Sequence, residues 1–170
     1  MIIIGRRGNE VRRPEQPPDR LLYSVGSENK ERCDYITLEL DVSQGRKLQF
    51  LVDSGTDISL VKSYTLLGTA EFEPKDRVRV KSVEGPVIET HGSIETRIRE
   101  GGIDIPFHFQ LVSKQVDLKG DGILGRDFFK SMQARICYKE RSLTFRHAGC
   151  VMRKKLIPLP ELEREAQRGE

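Results

Sequence analysis

A chain of 170 residues, 36% hydrophobic and 32% charged, is long enough to bury one core without disulfides or metals, and too short for an enzyme built from two copies of a large catalytic lobe. No apolar run approaches the ~18 residues of a membrane span, and the apolar start breaks off at Gly5-Arg6-Arg7, too soon for a signal peptide. The net charge of +3 lies in the ends (+2 over residues 1–32, 0 over 33–147, +1 over 148–170), which argues against a nucleic-acid reader with a basic face.

Residues 1–32 mix Gly, Pro, Arg and Glu without an apolar period and read as a flexible leader. From Tyr35 to Leu40 apolar and polar residues alternate, the mark of a half-buried strand. Ser43-Gln44-Gly45-Arg46 is a turn, and Leu48–Val52 a second strand that completes a hairpin. Further strands are expected at Val78–Val80, Ile94–Ile98, Ile103–Val112, Ala134–Tyr138 and Ser142–Phe145, and a single short helix at Arg126–Gln133. Frequent short strands broken by Gly and Pro predict an all-β barrel or sandwich over residues 33–147. Residues 148–170 turn Lys/Arg-rich and then Pro/Glu-rich; they read as a charged tail or linker, with Pro160 as a candidate start for a short helix. Cys33, Cys137 and Cys150 are odd in number and form no CxxC, which points to a reducing, intracellular setting rather than secretion. His91, His108 and His147 are scattered, and neither a metal nor another cofactor is expected.

Two segments carry chemistry. In Phe50-Leu51-Val52-Asp53-Ser54-Gly55-Thr56-Asp57 an apolar strand ends in a carboxylate, a hydroxyl and a glycine. A carboxylate leaving a buried element is costly unless it is hydrogen-bonded or functional, and Gly55 lets the backbone turn close to it. In Asp121-Gly122-Ile123-Leu124-Gly125-Arg126-Asp127-Phe128-Phe129 two aliphatics and a glycine run into an amphipathic helical turn.

In this order, the two motifs make the sequence resemble the retropepsins, the retroviral-type aspartic proteases, and most closely those of gypsy-type retrotransposons. Leu51-Val52-Asp53-Ser54-Gly55-Thr56 matches the catalytic-loop pattern, Ile123-Leu124-Gly125 the later hydrophobic-hydrophobic-Gly pattern, and Gly125-Arg126-Asp127-Phe128 the retrotransposon extension. The likeness runs from Tyr35 to Phe145, with Val80–Val87 where that family places its flap hairpin.

The resemblance implies a closed acid-protease barrel with one short helix towards the C-terminus, and an aspartic endopeptidase that cleaves extended polypeptide, its own Gag-Pol-like polyprotein in the first instance. Peptide hydrolysis by carboxylates needs two of them sharing one proton. One Asp-Ser-Gly per chain then requires a homodimer in which Asp53 meets its own copy across a two-fold axis. By the same resemblance Asp53, Ser54 and Gly55 form the catalytic loop, and Ser54 braces the two loops across the dimer. Gly55, Thr56, Asp57 and, at the flap tip, Gly85 bind substrate. Ile123, Leu124, Gly125 and Arg126 support the site, with Arg126 paired to Asp57; an ordinary structural ion pair is the competing reading there. The alternative for the whole chain is an inactive, host-retained or decayed copy kept as a dimerisation or peptide-binding module.

Overall fold

The computed structural model describes residues 19–22, 33–63, 73–82, 85–158, 161 and 167–168. Strands β2 (Asp34–Leu40), β3 (Lys47–Val52), β4 (Leu60–Lys62), β7 (Gly92–Glu100), β8 (Ile103–Val112) and β9 (Gly122–Leu124) lie in the order β2-β3-β9-β4-β8-β7. Pairing of Glu39 with Arg99 and Leu40 with Ile98 returns β7 to β2 and closes a six-stranded barrel. The expected all-β architecture with one short helix is therefore observed.

Alternation dictates which side of each strand faces in. Ile94, Thr96 and Ile98 of β7 and Ile105, Phe107, Phe109 and Leu111 of β8 are buried, while Glu95, Arg97 and Arg99 point to solvent. Gly101 and Gly102 join these strands at φ +55° and +77°, the positive values a tight two-residue hairpin turn requires at both positions. Helix α1 (Arg126–Ser131) stops two residues short of the expected Gln133, which adopts a left-handed φ of 47°. Phe128 of α1 links the barrel to the rest of the core, with its ring 5.6 Å from Phe107 and 5.4 Å from Phe145.

Two smaller sheets flank the barrel. In one, β5 (Arg79–Ser82) and β6 (Val87–Glu89) pair as an antiparallel hairpin, and β1 (Asp19–Leu22) joins β5 in parallel. The hairpin occupies the expected flap position with Gly85 exposed near its tip; Val83 and Glu84 lie outside the described residues. Part of the leader thus enters a sheet, while the rest of residues 1–32 lies outside the described residues.

The other sheet, β10 (Arg135–Cys137), β11 (Ser142–His147) and β12 (Cys150–Lys155), corrects the expected boundary at residue 147. β12 pairs with β11 along its whole length, placing buried Met152 opposite Phe145. Leu156 is 2% exposed, and β13 (Ile157–Pro158) pairs with β2, so the chain is folded to Pro158. Met152 and Leu156 are this segment's only fully buried apolar side chains, too sparse for a period among its cations to stand out. The helix expected after Pro160 falls almost wholly outside the described residues.

One buried cation gives a test of the barrel. Lys62 is 7% exposed, and its Nζ donates to the Leu118 carbonyl at 2.6 Å. Burial pushes its pKa below the ordinary lysine value, against the opposing pull of Asp121 and Asp117. A lysine whose folded-state pKa lies below its unfolded value sheds its proton first in the native state. Between the two values the unfolded chain holds more protons, and stability rises with pH. The stability of the native chain relative to Lys62→Met should therefore increase from pH 8 to pH 10. Urea midpoints for both proteins at each pH check this; a constant difference would remove Lys62 as the cause.

Candidate active site

The site is built where β9 enters between β3 and β4. β9 runs parallel to β3, with Leu51 opposite Ile123 and Val52 opposite Leu124, and antiparallel to β4. The Asp53–Ser59 loop that joins β3 to β4 must therefore arch over the end of β9 and the start of α1. The backbone N–H of Asp53 donates to the Leu124 carbonyl at 3.0 Å, so the two sequence motifs meet at a hydrogen bond.

Two hydrogen bonds fix the arch. Arg126 N–H donates to the Thr56 carbonyl at 2.6 Å, and Gly125 N–H donates to Ser59 Oγ at 2.9 Å. A Cβ on Gly125 would lie 2.6 Å from the Ile58 carbonyl oxygen and 2.7 Å from that of Thr56, so glycine alone permits this approach. Ile123 and Leu124 are fully buried and anchor β9 in the two parts of the core.

Within the loop the Asp53 carboxylate is held on both oxygens. Gly55 N–H donates to Oδ1 at 3.0 Å, and Thr56 Oγ1 donates to Oδ2 at 2.9 Å. Thr56 is 0% exposed, which corrects its expected substrate contact: its hydroxyl is spent on orienting Asp53. Ser54 is exposed at the turn, and Gly55 is half-buried. Arg126 Nη1 lies 3.2 Å from Asp57 Oδ1, so the anticipated pair forms, but the guanidinium is 48% exposed. An ion pair on that rim is screened and contributes about 0–1 kcal/mol.

A bracing pair not assigned from the sequence lies beneath. Asp127 accepts from the Ser59 hydroxyl at 2.6 Å and from the Ser59 N–H at 3.1 Å, and Ser59 is fully buried. The Asp127 carboxylate thus ties α1 to the far end of the Asp53–Ser59 loop. Its place after Gly125-Arg126 was visible; nothing around Ser59 signalled a partner 68 residues away.

Asp121 stands apart from the Asp53 loop. Its Oδ2 accepts from Gln49 N–H at 2.8 Å, its own N–H donates to the Gln49 carbonyl, and its carbonyl accepts from Lys62 N–H. It stands beside Gln49, four residues down β3 from Asp53, or about 13 Å at ~3.3 Å per residue. Cys33 lies close enough to feel Asp53: burial first, then the Asp53 and Asp34 carboxylates, push its thiol above the ordinary cysteine value. A thiol held neutral in this way is a poor nucleophile.

The retroviral aspartyl protease family model matches residues 35–137. The chain belongs to that family. It is 32% identical over 118 residues to the "Retrovirus-related Pol polyprotein from transposon 412" of Drosophila melanogaster, covering 69% of this chain. It spans 9% of that polyprotein's length. Among solved structures it is similar to the retroviral protease-like domain of Ddi1 from Leishmania major (25% identity, TM-score 0.54, 74% of this chain and 94% of that one). It also matches EIAV protease complexed with the inhibitor HBY-793 (20% identity, TM-score 0.43, 66% of this chain and 99% of that one). The family match spans the loop built around Asp53 and the Ile123-Leu124-Gly125 strand that supports it.

Proposed function

We propose that this chain is an aspartic endopeptidase that works as a homodimer on extended polypeptide. The observation that carries the reading is the Asp53 carboxylate, oriented on both oxygens at the end of a buried strand, in a chain of the retroviral aspartyl protease family. One such loop per chain calls for a second copy. Two Asp53 carboxylates facing one another across a two-fold axis cannot both ionise easily, and so share a proton. The ionised member takes a proton from a water as that water attacks the peptide carbonyl. The protonated member gives its own to the carbonyl oxygen, and breakdown of the tetrahedral adduct releases acid and amine.

In this reading exposed Ser54 reaches the partner loop, and the Gly55 carbonyl takes a substrate N–H. In the same reading the β5–β6 hairpin closes over a peptide bound as an added strand. The relative's name gives a Pol polyprotein; a protease carried in such a chain has the surrounding polypeptide as its nearest substrate.

The test is incubation of the purified chain with a peptide library across pH 4–9, with and without a statine-type inhibitor whose hydroxyl sits between the carboxylates. Cleavage should be blocked by the inhibitor and favour the acid side, where the dyad retains its proton, and the particle mass should be twice 19.4 kDa. A rate flat across the range, or cleavage by a stable monomer, would overturn the reading.

A further inference from the structure

The neutral charge count of residues 33–147 conceals how the β10-β11-β12 sheet sorts its side chains. From Arg135 to Lys155 the chain carries seven Lys/Arg against one Glu, a net charge of +6 within a protein of +3. One face of this sheet packs inward through Leu143, Phe145 and Met152. Alternation sends the intervening residues to the opposite face, where Arg135 and Arg153 flank Thr144, and Lys155 and Arg146 stand at either end.

All four cations are exposed, and no acidic residue occupies a strand position on that face. Arg153 meets Glu140 at 2.7 Å and Lys155 meets Glu161 at 3.6 Å, both solvent-exposed pairs that a stronger anion can displace. Arg135 and Arg146 have no ion-pair partner among the described residues.

We propose that this face binds single-stranded nucleic acid through its phosphate backbone. Strand geometry spreads the four cations over about 10 by 14 Å, room for a few consecutive phosphates. Three are arginines, whose planar fork matches a phosphate edge. Tyr138, 75% exposed, follows Cys137, which is in register through Ser142 with Lys155, so an aromatic residue stands in the turn at that end of the sheet. Cations for the backbone with an aromatic for a base is the arrangement that suits unpaired strands; an acidic polypeptide would leave the ring unused. The cations are spread across three adjacent strands rather than along one helix, which suits a strand lying on the surface better than an element entering a duplex groove.

The proposal does not depend on proteolysis. Fluorescence anisotropy of the full chain with a labelled 20-nucleotide oligouridylate tests it. Four phosphate contacts give a log–log salt slope near −3, so affinity should fall about 50-fold between 50 and 200 mM salt. Replacing Arg135, Arg146, Arg153 and Lys155 together by Gln should abolish binding. The same exchange at Lys75, Arg77, Arg99 and Lys114, exposed cations elsewhere, should change it less than about twofold. Tyr138→Ala should weaken binding at least about fivefold with the slope unchanged, and Asp53→Asn should bind as the native chain does. Absence of salt-dependent binding by the native chain would overturn the proposal. So would equal loss in both fourfold variants, or displacement by polyglutamate as effective as by unlabelled oligonucleotide. Should the first fourfold variant fail to fold, the native salt slope and Tyr138→Ala decide the matter.

Discussion

Asp53→Asn should reduce peptide cleavage by at least about 10³-fold while leaving the fold and the dimer intact. In a homodimer the change removes both proton-transferring carboxylates at once, and each such role is worth about 10²–10⁴ in rate. The fold survives because the hydrogen bonds around residue 53 can be kept. The amide oxygen still accepts from the Gly55 N–H, and the Thr56 hydroxyl, now a donor to Oδ2, can turn to accept from the amide nitrogen. Turnover measured beside particle mass and a denaturation curve separates lost chemistry from lost structure. A variant that cleaves within tenfold of the native chain would remove Asp53 from the mechanism. A variant that fails to fold would show that the charge itself holds the loop.

Gly125→Ala should unseat the Asp53–Ser59 loop from α1 with a single methyl group. The added carbon meets the Ile58 carbonyl oxygen at 2.6 Å and the Thr56 carbonyl oxygen at 2.7 Å, both backbone atoms that cannot rotate away. Relief requires the catalytic loop to lift from α1, breaking the Gly125–Ser59 and Arg126–Thr56 contacts together. Overpacking of this kind costs about 3 kcal/mol, or a fall of about 6–12 °C in melting temperature for a domain of this size. Gly149→Ala is the comparison: its φ of +77° strains any side chain, but nothing lies within 4 Å. That strain is worth about 1–2 kcal/mol and should leave cleavage unaltered. If the two variants melt alike, crowding beneath the loop is not what holds it down.

The parts legible in the sequence are those in which chemistry and period coincide. β7 and β8 alternate over most of their length because each has one face in the core and one in water, while β3 is buried on both faces where Phe50 and Leu51 enter separate core clusters, and Asp53 stood out as a carboxylate leaving that buried end. β12 did not, because Val151 points outward, and Lys154 points inward to reach Glu100 at 3.0 Å. There the apolar pattern is inverted by an ion pair that only the folded chain makes. The role of Thr56 was misread for a related reason: a hydroxyl next to a catalytic loop serves either substrate or neighbour, and burial decides which. Ser59 and Asp127 form a contact of long sequence separation between a buried serine and a helix start, and neither residue type announces the other.

The passage of β9 between β3 and β4 also sets when the Asp53 loop can be completed during synthesis. Asp53 leaves the ribosome long before Leu124, so its backbone N–H gains the Leu124 carbonyl as partner only once that later strand has threaded home. The loop is thus seated by a pairing of long sequence separation, which local structure in a nascent chain cannot supply.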